Sequence, residues 1–245
     1  MQGMPFNRLS LVIAAVSIAL TGACSPAGQS GPGQSASTAS DPGGAVPGQA
    51  VAEDSPVLIA FLGDSLTAGL GLLESQAYPA RVRELLEADG YEVDVVNGGV
   101  SGDTTAGGLR RYEQLLTGGT RILVVGLGGN DALRGLTVKQ THDNLAAIID
   151  GARAHGVGVV VAGMEAPTNL GEDYRSAFHN VFIDLVREYR GSGVSFVPFL
   201  LEGVAGRPEL NQADGIHPNE QGAKLVASVV YPAVKGLVAQ IATPR

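Results

Sequence analysis

Tryptophan is absent and cysteine occurs once. Aromatic residues make up only 5% of the chain, so a stacking platform for bases or sugar rings is not expected. The lone Cys24 cannot close an internal disulfide, and one thiol cannot build a zinc site. The four histidines, His142, His155, His179 and His217, form no HExxH or other short metal-ligand spacing, so neither a metal nor a cofactor is expected. Positive charge is scarce as well. Sixteen Lys and Arg against 24 Asp and Glu leave a net charge of −8 with no basic cluster, which argues against nucleic acid as a partner. What is present suits a globular protein: 44% hydrophobic residues, 16% charged, and 245 residues in all, enough for one sizeable domain with a full core.

The first residues read as a targeting segment. Met1 to Arg8 carries one cationic side chain, and Leu9 to Leu20 is apolar apart from Ser10 and Ser17. That is the length of a signal-peptide core and short for a membrane span. Thr21-Gly22-Ala23-Cys24 resembles a bacterial lipobox. Residues 1–23 are therefore expected to be a lipoprotein signal peptide, with Cys24 the lipid attachment site and the anchor to the membrane. Ordinary secretory cleavage is the alternative. Both place the protein in the bacterial cell envelope, either as a lipid-anchored membrane lipoprotein or in secreted or periplasmic form. Residues 24–54 are rich in Gly, Ser, Pro, Ala and Gln and lack the apolar periodicity of a core. They read as a flexible tether, with an r.m.s. span of about 30 Å for a chain of that type. The folded domain is expected over 55–245.

From residue 57 onward, apolar runs alternate with amphipathic stretches. Strands are expected at 57–62, 92–96, 121–127, 157–163 and 194–197, all rich in Val, Ile and Leu as buried parallel strands are. Helices are expected where apolar residues recur at helical spacing: Tyr78, Val82, Leu85 and Leu86; Val138, Leu145, Ile148, Ile149 and Ala152; Phe178, Val181, Phe182, Leu185, Val186 and Tyr189. A last helix from about Asn219 should kink or break at Pro232. Alternation of this kind implies an α/β fold, a parallel sheet with helices on both faces, and such sheets collect functional residues at the carboxyl ends of their strands.

Four loops lie at those ends or just before a helix. Gly63-Asp64-Ser65 follows the first strand, and Ser65 is either a helix N-cap or a nucleophile at a helix N-terminus. "NGGVSGDTT" at 97–105 follows the second. Its glycines allow close backbone approach to a ligand through the Gly102 N–H, and Asp103 or Thr104 can cap the next helix. "GLGGNDALRG" at 126–135 follows the third. Asn130 is a neutral donor suited to a developing oxyanion or else a turn residue, and Asp131 reads as a cap for the next turn. "ADGIHPNEQG" at 213–222 places Asp214 and His217 three apart, so that the carboxylate can hold the imidazole Nδ1–H and leave Nε2 as a base. Together they supply a hydroxyl, a base, an orienting carboxylate and oxyanion donors once each.

These blocks, "GDSLTAG" at 63–69, "NGGVSGDTT" at 97–105, "GGND" at 128–131 and "DGIHPN" at 214–219, resemble in order those of the GDSL or SGNH hydrolases. The bacterial thioesterase I/lysophospholipase/arylesterase branch is the most similar, and "APTNLGEDY" at 166–174 looks like that branch's substrate-side loop. The resemblance covers roughly residues 57 to 240. It implies a three-layer α/β/α sandwich with a flavodoxin-like five-stranded parallel sheet. It also implies Ser65 as nucleophile, His217 as general base and acid, Asp214 as its orienter, and an oxyanion hole from the Ser65 and Gly102 N–H groups and the Asn130 amide. Gly98-Gly99 stands where the family often has a bulkier pair, a change expected to alter the pocket wall. The implied activity is hydrolysis of a small acyl ester, thioester or lysophospholipid without a cofactor. The segments 165–174 and 198–212 are expected to line the cleft, with Phe199, Leu200, Leu201 and Val204 either accepting an acyl chain or belonging to the core. Two rival readings are a carbohydrate O-acetyl esterase of the same family and a non-catalytic ligand-binding lipoprotein.

Overall fold

The computed structural model describes residues 55–244. The expected signal peptide at 1–23, Cys24 and the tether at 24–54 lie outside the described residues. Five strands, β1 (Val57–Gly63), β2 (Val93–Gly99), β3 (Ile122–Gly126), β4 (Gly158–Ala162) and β5 (Ser195–Val197), form one sheet in the order β2-β1-β3-β4-β5. All neighbours pair in parallel. A parallel sheet has both faces covered, which is why its strands read as apolar runs. β3 is buried throughout and β1 at every position but Leu58, whereas β2, at the edge, exposes Asp94 and Val96.

The helices divide between the two faces. α2 (Tyr78–Ala88) packs with α7 (Glu220–Ile241), which also covers β3, β4 and β5. On the other side α3 (Thr105–Leu115) packs against β1, α5 (Val138–Ala154) against α3 and β4, and α6 (Glu172–Glu188) against α5. The result is the expected three-layer sandwich. Most of the side chains that recur at helical spacing are the buried ones: Tyr78, Val82 and Leu86 on α2, and Leu145, Ile148 and Ile149 on α5.

The expected break at Pro232 does not occur, since α7 runs on to Ile241. Pro232 and Ser228, whose carbonyl loses its helical donor, are both exposed, while Val234, Leu237 and Val238 beyond the proline are buried. Leaving one carbonyl to water costs less than exposing those three side chains.

The register sets Gly63 level with Gly99 on one side and with Gly126 on the other. Three chain segments therefore leave the sheet side by side, where the strand order reverses and opens a crevice. A four-residue helix, α1 (Ser65–Ala68), folds back across these ends. Glycine permits this: a Cβ on Gly63 would lie 1.9 Å from Thr67 Oγ1, and one on Gly99 2.2 Å from the Ala68 nitrogen. Gly98 is closed off in turn by Leu115, 2.6 Å from a Cβ built there. The Gly98-Gly99 pair thus packs under α1 and against α3, and the expectation that it shapes a pocket wall is corrected.

Candidate active site

The chain passes from β1 into α1 through Asp64, and it is Asp64 that caps the helix, its Oδ1 accepting the Leu66 N–H at 3.0 Å. The N-cap reading of Ser65 is thereby displaced by one residue, and the Ser65 hydroxyl has no capping role. At the other end of the chain, the loop before α7 is pinned by a bridge between Asn211 and Pro218 and by Asn219, whose Oδ1 caps the helix through the Gln221 and Gly222 N–H groups. This loop carries His217 to Ser65, with Nε2 2.8 Å from the Ser65 Oγ and Nδ1 2.6 Å from Asp214 Oδ2.

Asp214 spans its own loop. Its Oδ1 accepts the Ile216 N–H at 2.9 Å and the His217 N–H at 3.0 Å. The His217 N–H foremost, then the imidazole and the Ile216 N–H, hold the carboxyl down at about 2. An ionised Asp214 can only accept, so the proton on His217 sits at Nδ1, and Nε2 presents its lone pair to the Ser65 hydroxyl.

Asn130 lies on α4 (Gly129–Leu133), immediately after β3. Its Nδ2 donates to Asp64 Oδ2 at 3.1 Å, which leaves the second amide N–H for a ligand. Asp64 is 2% exposed, and burial pushes its carboxyl up to about 6 against the opposing pull of the Leu66 N–H and the Asn130 amide. Sequence reasoning assigned Asp64 no role. Its one signal is its place between Gly63 and Ser65, which does not say that the side chain turns inward. Gly102 sits between β2 and α3 with φ 80°, three residues past the Gly99 that is level with Gly63. Thr104, one of the two caps expected there, caps α3 through the Gly107 N–H.

Asp131 requires a correction. It does not cap the turn that follows it but is fully buried, accepting the Thr105 N–H at 2.9 Å and the Thr105 hydroxyl at 2.5 Å. A buried carboxylate needs donors, and the first turn of α3 has N–H groups without helical partners.

The Asp64 shift carries a consequence for stability. Its folded pKa lies above the unfolded value of about 4, so the folded state binds the proton more tightly and stability falls as pH rises from about 4 through about 6. At about 1.4 kcal/mol per pKa unit, ionising Asp64 in place costs about 3 kcal/mol. Asp214 acts oppositely and only below about 4, so the windows separate. In Asp64→Asn the amide oxygen can still cap α1 but nothing titrates. Between pH 7 and pH 4.5 the wild type is expected to gain roughly 5 °C in melting temperature relative to this variant. A difference that stays constant across that range would remove the buried charge from the account.

A small recess, with room for little more than a water-sized group, adjoins Ser65 and His217 and is lined by Leu66, Leu70, Leu72 and Leu201 among others. Of the four apolar residues left open between cleft and core, Leu201 lines this recess, Leu200 and Val204 are fully buried core, and Phe199 is half-buried. The 165–174 segment is tied to the end of the α4 loop by the Tyr174 hydroxyl, which donates to the Leu136 carbonyl at 2.8 Å. Among the described residues no cluster of His, Cys, Asp and Glu has the arrangement of a metal site.

The family model of GDSL-like lipases and acylhydrolases matches residues 61–225. The esterase TesA of Pseudomonas aeruginosa is 42% identical over 178 residues, covering 72% of this chain and 87% of that protein. The thioesterase 1/protease 1/lysophospholipase L1 of Escherichia coli K12 is 35% identical, over 73% of this chain and 83% of that protein. Among solved structures, the crystal structure of TesA superposes with a TM-score of 0.69 at 40% identity, over 74% of this chain and 99% of the other.

Proposed function

The chain belongs to the GDSL-like lipase/acylhydrolase family, and from that premise we propose that it is a serine esterase that cleaves acyl esters or thioesters through an acyl-enzyme. The observation that carries this reading is the hydrogen-bonded line from the Ser65 Oγ through His217 to Asp214, with its 2.8 Å and 2.6 Å links. Ser65 Oγ forms a bond to the acyl carbon while its proton passes to His217 Nε2. The carbonyl electron pair moves onto oxygen, which receives hydrogen bonds from the Ser65 N–H, the Gly102 N–H and the second N–H of Asn130. As the carbonyl re-forms, the alcohol or thiol departs with the proton from His217. Water then repeats the sequence on the acyl-enzyme and releases the acid.

The mainly apolar lining of the recess beside Ser65 favours an acyl group over a sugar, which would need donors and acceptors there. The relatives named esterase and thioesterase support the same reaction class. The experiment is hydrolysis of p-nitrophenyl esters from acetyl to palmitoyl, alongside labelling by a fluorophosphonate probe. Turnover of butyryl and longer esters in preference to acetyl, with covalent labelling, is the expected outcome. Preference for acetyl alone would point to an acetyl esterase. A folded protein that neither turns over nor labels would show a binding protein on a hydrolase scaffold.

A further inference from the structure

Arg111 lies on α3, one turn and a half beyond the Gly102 loop, and takes no part in the steps above. Its guanidinium nevertheless makes three hydrogen bonds to the segments that end at the site. Nε donates to Asp103 Oδ2 at 2.7 Å, Nη1 to the Gly98 carbonyl at 2.6 Å, and Nη2 to the Gly63 carbonyl at 2.9 Å. One planar cation thus joins the end of β1, two residues before Ser65, to the end of β2 and to the residue that follows Gly102. Both members of the ion pair are largely buried, Arg111 with 19% and Asp103 with 12% of the side chain exposed.

Two backbone bonds shape the loop, from the Val100 N–H to the Gly63 carbonyl and from the Asp103 N–H to the Val100 carbonyl, each at 3.0 Å, and side chains do the rest. Gly102 has φ 80°, a conformation that glycine adopts without strain and can also leave without a side-chain barrier. Asp103 is placed from both sides: Oδ2 meets Arg111, and Oδ1 accepts the Thr104 N–H at 3.1 Å. The Gly102 carbonyl accepts from Arg134 Nη2 at 2.7 Å, and Arg134 is the C-cap of α4, the helix that carries Asn130. The chain just after Gly102 is therefore held by two arginines, Arg134 on the Gly102 carbonyl and Arg111 on the Asp103 carboxylate, and Arg111 is the one that also reaches β1.

We propose that Arg111, through Asp103, is a positioning residue for the oxyanion hole: it sets the Gly102 N–H relative to Ser65. This rests on the assignment of Ser65 and Gly102 under the proposed function. A carbonyl oxygen in the ground state makes weak demands on such a donor, whereas the oxyanion makes strong ones, so displacement of the donor acts on the transition state. Lysine at 111 keeps the charge but has a single ammonium in place of a fork, and cannot reach three acceptors in one plane. Asp103→Asn keeps the shape and an acceptor but breaks the ion pair.

The test compares Arg111→Lys, Arg111→Met and Asp103→Asn with the wild type, on p-nitrophenyl butyrate and on an alkylboronic acid that mimics the tetrahedral adduct. Expected is a fall in kcat of about ten- to a hundredfold, as for a misplacement of about 1 Å at a reacting centre. KM should stay within about threefold, and boronate affinity should weaken by the same factor as kcat/KM. If Arg111→Met does not fold, the two conservative variants give the answer. Folded Arg111→Lys and Asp103→Asn enzymes that lose thermal stability, yet keep kcat and boronate affinity within threefold, would overturn the proposal and leave Arg111 as a tie between strand ends. Failure of the underlying function looks different, because the wild type itself would then neither hydrolyse the ester nor bind the boronate.

Discussion

Ser65→Ala is expected to lower ester turnover by about 10⁶-fold, leaving only what the oxyanion hole and binding supply, while the melting temperature stays within about 2 °C. The size follows from what is lost: without the Oγ there is no acyl-enzyme, and His217 has no proton to take. The small effect on stability follows from the local structure. The helix is capped by Asp64, not by Ser65, so the cap survives. Alanine is the better helix former at the first position of α1. The hydroxyl's partner is His217, whose side chain is 16% exposed, so water can take the hydroxyl's place. The comparison is made with purified proteins on p-nitrophenyl butyrate, with fluorophosphonate labelling beside it. Turnover above about one per cent of wild type would place the nucleophile elsewhere.

Asp214→Asn is expected to lower kcat by about 10⁴-fold with KM nearly unchanged. The loop should survive the substitution, because the amide oxygen can accept the Ile216 and His217 N–H groups that the carboxylate Oδ1 accepts now. The other half of the side chain then turns an N–H₂ toward His217 Nδ1 where an acceptor stood. Two donors cannot face each other, so the imidazole gives up its Nδ1 proton and carries it on Nε2 instead. In that tautomer Nε2 donates to the Ser65 oxygen and cannot remove its proton. Because burial is slight and the carboxyl already sits near 2, the wild-type carboxylate stays ionised through the neutral range and holds the working tautomer there. Steady-state kinetics and the rate of probe labelling should fall together. A loss of less than tenfold would reduce Asp214 to a cap of the Gln212–His217 turn.

The order of strands and helices was legible because each has a short-range cause. Parallel strands covered on both faces must be apolar throughout, and helices with one covered face must repeat their apolar residues every three or four positions. All five strands lie within three residues of their expected ends, the largest difference being the extension of β2 through Gly98 and Gly99. Those glycines read as loop because what they make room for, α1 at Gly99 and Leu115 at Gly98, comes from distant parts of the chain. Pro232 misled for a related reason. The rule for proline is local, and the burial of Val234, Leu237 and Val238 that outweighs it is not.

At the site, Ser65, Gly102, Asn130, Asp214 and His217 were nameable from residue type and position after a strand or before a helix. The sequence by itself determined which chemistry the chain carries, since a hydroxyl, an imidazole, a carboxylate and a neutral amide stand in glycine-rich loops whatever the packing. Only the tertiary structure decided how those groups are held. The register that sets Gly63, Gly99 and Gly126 level is a property of strand pairing. The inward turn of Asp64 onto Asn130, the reach of Asp131 to Thr105, and the clamp of Arg111 on two strand ends join residues far apart in the chain. Buried charges find donors wherever the fold brings them, and no spacing along the chain records that.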